Sequence, residues 1–132
     1  MMNETVLQQI YNHLKTNGID VYAPSQHKGD CTSPYVVIRG GGVVQLLTVS
    51  SERPVYTLMF YVPYKSFFEL DAFKDKVKEI MKGLYPMVMY GGNETEDYYE
   101  ESNKSYMKSV EYYGIRRIKY TNYERSVNNG GY

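Results

Sequence analysis

The residues of this chain whose types and spacing could do chemistry fall in a few short runs. His27, Asp30 and Cys31 share the polar stretch 25–34 (SQHKGDCTSP) and offer three kinds of metal ligand. Zinc takes four protein ligands, or three and a water. No second pair at C-x-x-C or H-x-x-x-H spacing joins these three, so a polar loop is the simpler reading. Cys31 as a nucleophile needs a base beside it and a lowered pKa. His27 is near in sequence, but nothing places a helix N-terminus under the thiol. Arg39 followed by Gly40, Gly41 and Gly42 has the look of a phosphate cradle. A P-loop, however, carries G-x-x-x-x-G-K-[ST] into a helix, whereas strand-forming residues follow here. A bend in the backbone is expected instead.

Asp71, Asp75 and Glu79 recur one helical turn apart, as a carboxylate pair or metal face would. They are interleaved with Lys74, Lys78 and Lys82, and i,i+3 and i,i+4 pairing on a solvated face accounts for them. Arg116, Arg117, Lys119 and Arg125 alternate with Tyr112, Tyr113, Tyr120 and Tyr123. Such tyrosines can stack bases while the cations hold phosphates. The same residue types equally suit a protein interface. No acid–base pair, triad or metal set emerges, so neither an enzyme nor a cofactor is expected.

Composition sets the frame for these residues. A chain of 132 residues is one domain's worth of protein and large enough to fold without staples. Fifteen Lys and Arg balance fifteen Asp and Glu. That balance removes the usual electrostatic reason to expect a nucleic-acid or anionic-membrane partner. A single cysteine suits a reducing compartment, and the cytoplasm is expected. The first residues show no basic region followed by an apolar run, so no secretory signal is expected. The longest mostly apolar stretch, 55–63, falls far short of the ~20 residues of a spanning helix. Sixteen tyrosines stand out. Tyrosine favours both strands and protein interfaces, and its abundance alone does not choose between them.

The elements that must position these residues follow from periodicity. Residues 4–17 read as a helix with Asn3 as N-cap and Val6, Leu7, Ile10 and Leu14 on one face. Gly18 stands where a left-handed residue ends a helix. Residues 19–23 alternate as a short strand that Pro24 stops. The stretch 35–62 holds either two long antiparallel strands or three short ones. Its glycine triplet marks a bulge, a bend or a turn, and 50–54 is a turn cluster. Ser66 and Glu69 have capping-box spacing at the head of a helix over 67–84. Leu70, Phe73, Val77, Ile80, Met81 and Leu84 form its single apolar stripe. Residues 87–90 suggest a strand closed by Gly91 and Gly92, and the acidic run 93–101 an exposed loop. The last long strand spans 107–120, with Gly114 as a bulge. The order α-β-β-β-α-β-β predicts an α+β fold: one mainly antiparallel sheet of four to five strands, with two helices packed on one face. Residues 1–125 form a single domain on this reading, and 126–132 a flexible tail.

The whole pattern resembles the tail terminator (tail completion, minor tail) proteins of long-tailed bacteriophages and related phage-tail-like particles. The resemblance spans roughly residues 4–123. It rests on an N-terminal helix, a Pro-marked loop leading into Ser33-Pro34-Tyr35-Val36-Val37-Ile38, and the strand 56–62 (YTLMFYV). The amphipathic helix 67–84 and the tyrosine-rich strand 108–120 complete it. The resemblance implies a structural virion subunit without cofactors, assembled in the bacterial host cytoplasm and located in the tail. Its copies would form a six-fold ring that caps the tail tube and joins it to the head. The implied partners are further copies of the chain, the tail tube protein and a head–tail connector or stopper, with no membrane. Two alternatives stay open: another small head–tail joining or neck protein, and a cytoplasmic module binding single-stranded nucleic acid, which the charge balance disfavours. The local reading alone supplies candidate contacts: His27, Lys28, Asp30, Glu52, Arg53, Glu96, Asp97, Arg116 and Arg117.

Overall fold

A computed structural model describes residues 5–45, 51–115 and 117–118. The first helix, α1 (Val6–Thr16), starts at Thr5. The Thr5 hydroxyl accepts from the Gln8 amide at 3.1 Å, and the Gln8 side chain accepts from the Thr5 amide at 3.4 Å. This reciprocal box replaces the expected Asn3 cap, because it satisfies two orphan donors together; Asn3 itself lies outside the described residues. The helix ends at Asn17, and Gly18 takes φ +83°, the left-handed conformation that favours glycine.

Strand β1 (Val21–Tyr22) runs parallel to β2 (Tyr35–Gln45), pairing Val21 with Val36. Strands β2 and β3 (Ser51–Pro63) form a long antiparallel pair from Tyr35↔Tyr61 out to Gln45↔Glu52. Of the alternatives for this stretch, two long strands is the one found, and the glycine triplet is a bulge between Gly40 and Val43. Residues 51–54, expected in a turn, belong to β3 because Val43, Val44 and Gln45 offer them a ladder. Pro54 sits opposite Val43 beside that irregularity, a place where a strand tolerates a missing N–H.

The chain leaves β3 through a 3-10 segment, Tyr64–Glu69, and only then enters α2 (Leu70–Met81). The expected Ser66–Glu69 capping box does not form. Ser66 is non-helical at φ −113°, and α2 starts at Glu69 without a side-chain cap. Phe67 instead packs on Tyr106, with ring centroids 4.6 Å apart, which ties the segment to the sheet. The expected stripe holds. Leu70, Val77 and Met81 are buried, and Phe73, Ile80 and Leu84 pack against them.

Strand β4 (Val88–Glu94) continues through Gly91 and Gly92 instead of closing there. Its register on β6 (Ser105–Gly114) shifts between Tyr90↔Tyr112 and Glu94↔Val110, so that β4 carries two extra residues there. Gly91 is required: a Cβ there would stand 2.8 Å from the Glu111 carbonyl oxygen. The acidic run is exposed but not wholly a loop. It contains β5 (Tyr98–Glu100), which pairs with Ser105–Met107 of β6, and a 3-10 turn, Glu101–Asn103. Past Gly114 the last strand breaks, and β7 (Arg117–Ile118) resumes pairing with β3. Four residue steps from Tyr113 to Arg117 face three from Val55 to Glu52, so one extra residue sits beside Gly114, where a bulge is expected. The proposed tail 126–132 lies outside the described residues.

The protein has an α+β fold. Its sheet is mixed but mostly antiparallel, in the order β1-β2-β3-β6-β4, with the short strands β5 on β6 and β7 on β3. These two strands take the sheet beyond the four to five expected. Strand alternation gives the sheet two different faces. Val36, Ile38, Leu58, Phe60, Val62, Val110 and Tyr112 meet Ile10 and Leu14 of α1 and the α2 stripe in the main core. The helices therefore share one face. His13 Nε2 donates to the Ile80 carbonyl at 2.8 Å and joins them. On the other face Tyr35, Val37 and Cys31 form a smaller cluster with Tyr22, Met59 and Tyr61.

Candidate functional site

The loop residues with metal-ligand chemistry do not converge. His27 stacks on Tyr35 at 3.8 Å, and Tyr35 stacks on Tyr61 at 4.7 Å. Tyr22 meets both His27 and Tyr35 edge-on. Cys31 is buried beneath them and donates to the Ser33 carbonyl at 3.4 Å; burial pushes its thiol up to about 11, away from a reactive thiolate. Asp30 is exposed and pairs with Lys104 at 3.6 Å, and Lys28 is exposed beside it. Asn103 pins this arrangement, donating to the Tyr35 hydroxyl at 2.7 Å while its carbonyl accepts from the Cys31 amide at 2.7 Å. The run 25–34 thus helps cover the second face of the sheet. Among the described residues, no group of three or more His, Cys, Asp or Glu is placed to hold a metal ion. Nor is any helix there long and apolar enough to cross a membrane.

The acidic run is neutralised from an unexpected side. Glu94 accepts from Lys74 at 3.1 Å, from Lys78 at 2.9 Å and from the Tyr90 hydroxyl. The Tyr90 hydrogen bond, helped by both lysines, holds its carboxyl down to about 2. Lys78 also lies over the Tyr90 ring, 4.0 Å from its centroid. Asp97 and Asp71 both take Lys108, each at 3.0 Å, and Lys108 is held above its usual range by them. Glu79 pairs with Lys82 at 2.8 Å and Asp71 with Lys74 at 4.0 Å, the i,i+3 pairs that the charge interleaving predicts, but Lys74 and Lys78 make their shorter contacts to Glu94 across the fold. Glu96 is exposed.

Of the basic stretch, Arg117 lies opposite Glu52 in the β3–β7 ladder, while Arg116, Lys119, Tyr120, Tyr123 and Arg125 fall outside the described residues. Arg53 stands opposite Val44 at the outer end of β3, its Nε buried without a partner among the described residues. Tyr112 offers no ring for base stacking, since it is buried in the core.

Two surface features escape the sequence reading. The first is an aromatic cluster built on Tyr106, against which Tyr64, Phe67 and Tyr99 pack; Phe68 extends it from Phe67. Tyr64 and Tyr99 are exposed, and Phe68 is 93% exposed. A signal existed for Phe68: it falls off the apolar stripe that starts at Leu70. The second is an open cavity of about 480 Å³ between the C-terminal end of α2 and edge strand β4. Met81, Val88 and Tyr112 form its buried floor, Tyr85 and Tyr90 its walls, and Lys78 and Lys82 reach it from α2. Seven of its eight lining residues fall within 78–90, but the eighth, Tyr112, comes from β6, and the concavity appears only when β4 turns back beside α2.

These features define an α+β protein with a two-faced sheet, an exposed aromatic cluster and an apolar cavity. No known family model matches the chain, and no curated protein matches it.

Proposed function

We propose that this chain is a structural subunit of a phage tail or a related tail-like particle. Its copies close into a ring, six-fold by the resemblance, that ends growth of the tail tube and joins the tail to the head. The observation that carries the reading is the exposed aromatic cluster of Tyr64, Phe68 and Tyr99. Clustered exposed aromatics mark protein–protein contact surfaces, where Tyr and Phe are enriched. The α+β subunit with two helices on one sheet face agrees with what the tail-terminator resemblance implies, and balanced charge suits protein contacts. The partners on this reading are further copies, the tail tube protein and a head–tail connector or stopper.

Purified chain added to polymerising tail tube protein tests the reading. Electron microscopy should show it as a ring at one tube end, with elongation from that end stopped. Tubes that keep growing with no chain at either end would overturn it.

A further inference from the structure

The cavity beside β4 has a definite chemical preference. Its floor of Met81, Val88 and Tyr112 is apolar, and Lys82 stands at its edge. Lys82 is paired with Glu79 at 2.8 Å, but both side chains are 73% exposed, and a solvated pair of this kind gives up its partner at little cost. The cavity therefore suits an apolar group that carries a carboxylate next to it. The chain displays such a group. Among the described residues, Phe68 is the most exposed large apolar side chain, and the adjacent Glu69 is exposed and without an ion pair. A cavity of roughly 150 Å³ already takes a benzene ring, so about 480 Å³ holds a phenylalanine ring with its flanking groups.

The projecting pair and the cavity stand at opposite ends of α2. Twelve residues of helix separate them by about 18 Å, at about 1.5 Å per residue. Phe68 cannot fill its own cavity, but it can fill a neighbour's. We propose that Phe68 and Glu69 of one copy dock into the α2–β4 cavity of the next, in a head-to-tail contact. This rests on the ring reading above and gives that ring its joint. Two different patches meet, so the contact is heterologous and repeats from copy to copy until rotation closes it. Phe68 supplies the buried anchor, while Glu69 against Lys82 sets register and salt sensitivity.

Directed cross-linking tests the contact. One batch carries Ala72→Cys, one helical turn from Phe68 and exposed, which leaves the anchor in place, and a second carries Tyr85→Cys at the cavity wall; both positions are exposed, so folding is spared, and the native Cys31 is buried. Mixed at several hundred micromolar under mild oxidation, the two batches should give the 72–85 heterodimer at least about tenfold over either homodimer. Charge reversal by Lys82→Glu in the second batch should lower that yield, and Glu69→Lys in the first should restore it. A heterodimer yield no higher than the homodimers overturns the contact, as does capture of the Tyr85→Cys copy by tube protein instead. A tube-end ring that survives Phe68→Asp removes this joint and leaves the tail reading standing. Tubes left uncapped while the cross-link forms remove the tail reading and leave the joint.

Discussion

Glu94 gathers two lysines and a tyrosine hydroxyl, and its protonation is the event to which this surface is most sensitive. Its folded pKa of about 2 lies below the unfolded value of 4.5. The stabilisation is therefore fully present above pH 4.5 and is lost as pH falls through about 2. Its side chain is 22% exposed, so solvent screening limits the contribution, and Glu94→Gln should cost about 1 kcal/mol at pH 7. The gap to wild type should shrink towards pH 2, as urea titrations across that range will show. Cys31 makes the opposite case. With its thiol raised from 9.0 to about 11, alkylation by iodoacetamide at pH 7.5 should run on the order of 100-fold slower than in the unfolded chain. Equal rates in folded and unfolded protein would contradict its burial. For His27 and Cys31 the sequence offered only the lack of a ligand set at local spacing; the stacking of His27 on Tyr35 and the burial of Cys31 come from the fold. It said nothing of Glu94, whose lysines lie 20 and 16 residues away on another element.

Helices and their buried stripes were legible, since 3.6-residue periodicity records which side meets the sheet. Their starts were less so. Thr5 with Gln8 caps α1, and Ser66 with Glu69, though correctly spaced, is overridden by the packing of Phe67 on Tyr106. Leu70→Ala should destabilise the fold by about 2–5 kcal/mol, and Ile80→Ala, only partly buried, by less. Thermal unfolding of the two variants will rank them. The short strands β5 and β7 were illegible because their pairing depends on partners in β6 and β3 and not on their own composition. Gly91 shows the same dependence: it reads as a strand terminator, yet it is where β4 passes close to the Glu111 carbonyl. Gly91→Ala should push β4 off β6 and cost about 1–3 kcal/mol. An unchanged melting temperature would mean that β4 gives way freely.

At the scale of the whole molecule, the mixed sheet presents one face to two helices and the other to the loop holding His27 and Cys31. Hydrophobic periodicity and the order of elements foretold the α+β architecture, but not where aromatic surface would be left uncovered, because exposure is decided by the docking of elements. That surface, together with the cavity at the far end of α2, is what a subunit of a closed ring needs: two unlike patches on one body. The most direct measurement is electron microscopy of lysates from a strain whose phage or tail-like particle lacks this gene. Loss of a tube-ending ring should give overlong or headless tails. Tails of normal length joined to heads would contradict it.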